Sequence, residues 1–438
     1  MIRYRALGAV LYLLLAVATP ARALEIQRVV SPGGIEAWLV EDHKIPVIAV
    51  EFSFAGGAGV DPAGKQGLAG LTAGLLDEGA GDLDSQAFAK ALQDDAIDVS
   101  FSASPDTFDC GLKTLSEHQD AAFDLMALAL TKPRFDADAI ERVRDATLGE
   151  IKSELADPTK VARHAFYARV FPDHPYGRDG LGTLESVPGL TVDDLRGTVA
   201  RMLTRDHLLV AVTGDITPER LGAALDRLFG GLPAEGAPVL MPEAVPAHAG
   251  ETEVVARPIG QSIFLMGQQG LKRADPDWFP AYVMNYVLGG GGFSSRLTEE
   301  VREKRGLSYG VYSYLYPFDH AALIIGGGAT VNAKAGETLA LMKQEWARMA
   351  AGGLTEKELA DAKTYLTGSF PLQFTSAAAI ARTVLQVRHE NLGIDYLKRR
   401  DALIEAVTLD DVARVAKRLL DPATLTTVVV GQPVGIGG

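Results

Sequence analysis

Residues 190–214 read LTVDDLRGTVARMLTRDHLLVAVTG, and residues 407–431 read VTLDDVARVAKRLLDPATLTTVVVG. The two stretches align without a gap at an offset of 217 residues. Thr191, Asp193, Asp194, Arg201, Leu203, Leu208, Val212 and Gly214 of the first recur as Thr408, Asp410, Asp411, Arg418, Leu420, Leu425, Val429 and Gly431 of the second. Each copy opens on a threonine suited to cap a helix, with acids in the first turn where the helix dipole favours them. Apolar residues then recur at helical spacing, and a run of β-branched and apolar residues closes the copy as a buried strand. A unit of this length present twice is a duplicated domain, not a solenoid repeat.

Between the copies, residues 232–250 read LPAEGAPVLMPEAVPAHAG, a stretch rich in Pro, Ala and Gly and without periodic pattern, as expected of an interdomain connector. This places one domain at 24–231 and a second at 251–433, with residues 434–438 as a fraying tail. In the first domain the patterns predict strands over 26–30, 36–40, 47–54, 99–104 and 107–114, and helices over 67–76, 85–94, 119–130 and 136–155. The second repeats the order: a strand over 261–266, helices over 278–288 and 295–304, strands over 309–316 and 321–329, then helices over 334–351 and 356–370. Grouped strands followed by grouped helices predict an α+β class, with two homologous domains that each pack helices on a mainly antiparallel sheet.

The composition narrows the function. The chain has 438 residues, 47% hydrophobic and 22% charged, enough apolar material for more than one core. Its formal net charge of −14 and lack of basic runs argue against nucleic-acid binding. Residues 1–23 carry Arg3 and Arg5 ahead of an apolar stretch, then Ala21-Arg22-Ala23, which fits a small-x-small cleavage site. This reads as a secretory signal peptide, because about a dozen apolar residues fall short of the roughly 20 needed to span a bilayer. Its removal would take away Arg3, Arg5 and Arg22 and no acid, deepening the negative charge by three. Cys110 is the only cysteine, so no intrachain disulfide can form. Together these predict an exported product of a bacterial periplasm, with no integral membrane segment after cleavage.

The segment LVEDHKIPVIAVEFSFAGGAGVDPAGKQGLAG, residues 39–70, resembles the opening of pitrilysin/insulinase-type zinc metallopeptidases, including mitochondrial processing peptidase and its bacterial relatives. The segment LGGGGFSSRLTEEVREKRGLSYGV, residues 288–311, resembles the second-domain signature of that family, and the duplication agrees. Catalytic members carry H-x-x-E-H on a helix after the Gly-Leu-Ala element. Two histidines at i and i+4 share a helix face and hold Zn²⁺, while the glutamate is the general base for the metal-bound water. Here the matching positions are Gly70 through Gly74: both histidine positions, Gly70 and Gly74, are glycine, and the glutamate position is Ala73. The family's distant third ligand matches Glu150 by spacing, and one carboxylate alone is a solvated or ion-paired remnant rather than a zinc site. None of the eight histidines pairs with another at i, i+3 or i+4.

Arg302 and Tyr309 match the Arg and Tyr that the family places near the scissile bond from the second-domain side. The resemblance implies that they hold a substrate carbonyl and a developing oxyanion. Spacing alone also allows Arg302 as a surface helix residue paired with Glu299, and Tyr309 as a half-buried strand aromatic. Gly289, Gly290, Gly291 and Gly292 precede Phe293 and two serines without P-loop or dinucleotide features. The resemblance implies a glycine-rich loop that admits substrate peptide; a tight turn with a serine N-cap is the other reading.

The resemblance therefore implies a non-catalytic, substrate-binding or regulatory subunit. It would bind no cofactor itself and would pair with an H-x-x-E-H chain that carries the zinc, to act on unfolded or short peptides. A proteolytically inactive scaffold of the same fold is the alternative. An independently active enzyme finds no nucleophilic Ser or Cys motif to support it.

Overall fold

The computed structural model describes residues 24–437; the leader expected at 1–23 lies outside them. The first sheet holds β1 (Gln27–Val30), β2 (Glu36–Glu41), β3 (Val47–Ala55), β6 (Asp98–Ala103), β7 (Thr107–Leu115) and β8 (Leu208–Gly214), in the order β1-β2-β8-β3-β7-β6. The short β4 (Gly79–Ala80) and β5 (Leu83–Asp84) form a separate hairpin. The second sheet holds β9 (Thr252–Ala256), β10 (Gln261–Gln269), β11 (Val311–Pro317), β12 (Ala322–Val331) and β13 (Thr426–Gly431), in the order β11-β12-β10-β13-β9. Within each sheet one pairing is parallel, β2 with β8 and β13 with β9, and the others are antiparallel.

The quoted repeat is the structural heart of each domain. Thr191 and Thr408 each form a capping box, with Asp194 and Asp411 three residues on, at the start of helices Val192–Met202 and Leu409–Leu419. β8 and β13 follow as buried interior strands. Each ends on a glycine that needs to be one. Gly214 (φ +135°) and Gly431 (φ +146°) lie so close to the neighbouring strand that an added Cβ would sit 2.1 Å from the Val47 carbonyl oxygen and 2.8 Å from that of Gln261.

Alternation decides which face is buried. Ile48, Val50, Phe52 and Phe54 of β3 point into the first core with Phe108, Phe123 and Phe229, and Phe264 and Met266 of β10 point into the second with Trp346. The opposite faces are covered across the domain boundary. Helix Pro158–Val170, from the first domain's sequence, lies on β10 and β13, with Phe166, Val170 and Phe171 packed against Leu265, Leu323 and Val428. Helix Ala377–His389, from the second, lies on β8 and β3, where Ile380, Val384 and Val387 meet Trp38, Val40 and Ala211. The packing units therefore cross the sequence boundary drawn through 232–250.

Several expectations need correction. Helices Pro158–Val170, Pro218–Phe229, Ala377–His389 and Tyr396–Glu405, and strand β9, had no sequence counterpart. The helix expected over 67–76 is only Leu68–Ala73. The segment 295–304 is π-helical over Thr298–Glu303, and the helix over 278–288 turns π-helical at Tyr286–Gly290. The start of the tail is tied down rather than frayed, because Val434 N–H donates to Asn332 (2.9 Å) and its carbonyl accepts from Gly336 (3.0 Å).

Phe166 is fully buried in the layer shared by the two domains. Phe166→Ala is expected to lower the unfolding free energy by about 3–5 kcal/mol, read from chemical denaturation of the purified chain.

Candidate functional site

Arg302 sits in the π-helical segment, which ends where Gly306 adopts φ +60° and donates to the Arg302 carbonyl. The chain then runs extended toward β11, but the ladder starts at Val311 and not at Tyr309. Ser308 lies in the gap: its hydroxyl donates to the Ala329 carbonyl (2.5 Å), with the Gly310 carbonyl as a second acceptor within reach (3.0 Å). Tyr309 is left 86% exposed.

The Arg302 guanidinium lies between two rings, 4.6 Å from the centroid of Phe293 and 4.6 Å from that of Tyr309. Phe293 is 73% exposed and the Arg302 side chain 27% exposed. The surface ion pair with Glu299 does not form; Lys304 takes Glu299 (2.9 Å), and Arg302 Nε is 3.3 Å from the exposed Glu303. Attraction to both ring faces holds the guanidinium beside them.

The glycine run delivers Phe293 to this place. Gly289 is packed so tightly that a Cβ would lie 2.5 Å from the Ser313 backbone nitrogen, and Gly290 and Gly291 are crowded by Asn285 and Tyr286. Gly292 turns the chain at φ +55° in open space. Ser295 follows: its hydroxyl donates to the Gly292 carbonyl (2.8 Å) and accepts from Thr298 N–H (3.4 Å). The run thus includes the capped turn, and Gly292 is its only member whose Cβ position is free.

The positions of the zinc helix lie on the other sheet's domain. Asp61, buried, caps this helix by accepting from Leu68 and Ala69 N–H (both 3.0 Å), and burial pushes its carboxyl up to about 7. Gly70, Ala73 and Gly74 offer no donor atom, and even a Cβ at Gly74 would come 3.2 Å from Val143. Glu150 is exposed and forms no ion pair among the described residues. This set does not fit zinc.

One cluster has the composition of a metal site: Glu154, His164 and Asp179 offer ligand atoms within 4.8 Å of one another. Its geometry is that of an ion network. His164 Nε2 is 2.8 Å from Glu154 and Nδ1 is 2.9 Å from Asp179, so both ring nitrogens are engaged by different carboxylates. Lys160 already holds Glu154 at 2.7 Å, with Arg163 at 3.4 Å. The hydrogen bond to Asp179 holds the imidazole pKa above its ordinary value. Burial opposes charge on Glu154, yet bonds from Lys160 and His164 keep it below the usual range.

With the geometry in place, comparison with known proteins becomes informative. The description "Insulinase (Peptidase family M16)" matches residues 37–184, and "Peptidase M16 inactive domain" matches residues 189–366. An uncharacterized zinc protease of Mycobacterium tuberculosis is 30% identical over 307 residues, covering 68% of this chain and 69% of that one. The chain belongs to peptidase family M16. A non-peptidase homologue, YmxG, of Helicobacter pylori is 27% identical over 393 residues, 90% of each chain. The crystal structure of a peptidase M16 inactive domain from Pseudomonas fluorescens superposes with a TM-score of 0.88 at 28% identity, covering 94% of this chain and 99% of that one. The duplicated pitrilysin-like fold is therefore that of the M16 family.

In this M16 chain the structure brings the expected pair Arg302 and Tyr309 together and adds a ring that sequence reasoning missed; Phe293 directly follows the glycine run but has no motif meaning of its own. It also missed Asp61 and the His164 network, whose partners come from separate segments.

Because the His164 pKa is raised on folding, the network stabilises the protein below the unfolded value of about 6.5, and this contribution is lost as pH rises through the folded value. His164→Gln should lower the melting temperature at pH ~5.5 clearly more than at pH ~9. Equal losses at both would show an uncharged imidazole.

Proposed function

We propose that this chain is the non-catalytic, substrate-binding subunit of a two-chain M16 peptidase, exported to a bacterial periplasm. Its partner is a separate H-x-x-E-H chain that holds the zinc. Among the described residues no helix is long and apolar enough to cross a membrane, which agrees with this reading. The carrying observation is Arg302, its guanidinium held 4.6 Å from the centroids of two exposed rings, Phe293 and Tyr309. Exposed aromatics around a partly desolvated arginine are the usual makings of an interaction hot spot.

The chemistry follows from the groups present. The Arg302 guanidinium donates paired hydrogen bonds to a peptide carbonyl or carboxylate, and stacking spares it the entropy of being oriented on binding. The Tyr309 hydroxyl, free of the sheet, donates to charge that develops on a carbonyl oxygen. The zinc-bound water belongs to the partner, because Gly70, Ala73 and Gly74 leave this chain without ligands or a base.

A second reading is favoured by the same vacant helix and by the likeness to a non-peptidase homologue: a scaffold that assembles without assisting proteolysis. The two separate experimentally. The purified chain alone should not hydrolyse peptides, and adding an H-x-x-E-H partner should produce hydrolysis. Arg302→Ala should cut kcat/KM of the mixture about tenfold or more while leaving co-purification intact, with Tyr309→Phe costing less. Co-purification without any gain in hydrolysis would decide for the scaffold, and robust zinc-dependent hydrolysis by the isolated chain would overturn both.

A further inference from the structure

The helix Ala377–His389 covers β8 and β3 on the first sheet, and its first turn borders a cleft of about 580 Å³ that opens over β7 and β6. Ile45, Val47, Phe374 and Ile380 give it apolar walls. Its floor is Glu51 of β3, directly across from Gly111 of β7 in the ladder. A glycine inside a strand weakens the strand unless something must lie close to the backbone there. Here two side chains do so: a Cβ at 111 would stand 2.7 Å from Ser100 Oγ and 3.2 Å from Glu51 Oε2.

The Glu51 side chain is only 14% exposed, and its carboxyl accepts no hydrogen bond among the described residues. The nearest cation, Arg382 of the helix, is 3.5 Å away on a side chain 64% exposed, free to swing into solvent. The other charged groups facing Glu51 are committed elsewhere. Lys113 of β7 pairs with Asp98 of β6 (2.5 Å), and Asp109 of β7 accepts from the Thr107 hydroxyl (2.8 Å) with His389 beyond it. Asp42 sits at the rim. Burial pushes the Glu51 carboxyl up to about 7.

We propose that this cleft is a subsite for the lysine or arginine side chain of a bound polypeptide, with the cationic head on Glu51 and the aliphatic stem along the apolar walls. Those walls match a hydrocarbon stem, and a sequestered carboxylate without donors matches a group that brings several. An anion is repelled, and a single carboxylate is too few ligands for a metal. The inference rests on the reading of this chain as a peptide-binding subunit, and it gives that subunit a preference for basic segments.

The test uses the purified chain alone and measures fluorescence anisotropy of short labelled alanine–serine peptides carrying one lysine or, in its place, norleucine. The lysine peptide should bind about tenfold more tightly at pH ~8.5, and this advantage should vanish at pH ~5.5, where Glu51 is protonated. Glu51→Gln should abolish the advantage while leaving norleucine binding unchanged. Arg382→Ala, which removes the competing internal cation, should tighten lysine binding, a gain that misfolding cannot mimic. Equal affinity for the two peptides, or a lysine preference that survives Glu51→Gln, would overturn the subsite. Free lysine amide binding as tightly as the peptide would overturn the polypeptide as its occupant. A chain that binds neither peptide yet activates its partner would sink this inference and leave the subunit reading standing; a lysine preference without activation would do the reverse.

Discussion

The fold depends on an exchange of helices between its two domains. A sheet that buries one face under its own helices still has a second face to cover, and here each domain covers the other's. Arg388 shows how closely: its guanidinium donates to the backbone carbonyls of Glu36 and Val210 (2.9 Å each), so a residue of the second domain satisfies carbonyls of the first sheet. The reciprocal helix plants Phe166 where Gly267 of β10 leaves room for its ring. Neither sheet is complete alone, and the connector adds to the exchange of helices: the Pro242 carbonyl bonds His174 (2.9 Å), and Ala244 N–H donates to the His320 carbonyl (2.8 Å).

Further contacts reinforce that relation at the sheet ends. Asp106, at the tip of the β6–β7 hairpin, accepts from the Tyr176 hydroxyl and from the Asp319 backbone N–H (3.2 Å), while His389 pairs with Asp319 at 3.0 Å. Hairpin tips from both sheets and the exchanged helix thus meet in one polar knot. The consequence for function is positional. The Arg302 group belongs to the second domain, whereas the Glu51 cleft is built by both, with Phe374 and Arg382 of the second facing Glu51 of the first.

The vacant zinc helix keeps its architecture without its chemistry. Asp61 still caps it, and the surrounding core is closed around Leu68, Leu71 and Ala73. Of the three positions only Gly74 is exposed, Gly70 is half-buried, and Ala73 is packed into that core, so a small apolar residue there suits the packing. The helix is therefore kept by capping and core packing, neither of which needs the ligand side chains.

The duplication, the two capped helix–strand units and the strands of both sheets other than β9 were legible in the sequence, since each rests on local patterns. Thr191 and Thr408 announce their helices, and Gly70 and Gly74 cannot bind metal in any fold. Arg302 and Tyr309 were singled out only through the family signature, and their closeness to each other is what the tertiary structure adds. The helices Pro158–Val170 and Ala377–His389 escaped because they meet apolar surface on the opposite domain, so their buried residues answer to distant strands and not to their own neighbours. Phe293 over Arg302, Asp179 on His164 and Gly111 above Glu51 are in the same position. Each pairs residues from separate segments, and such pairs acquire their chemistry only when burial and distance are set by the folded chain.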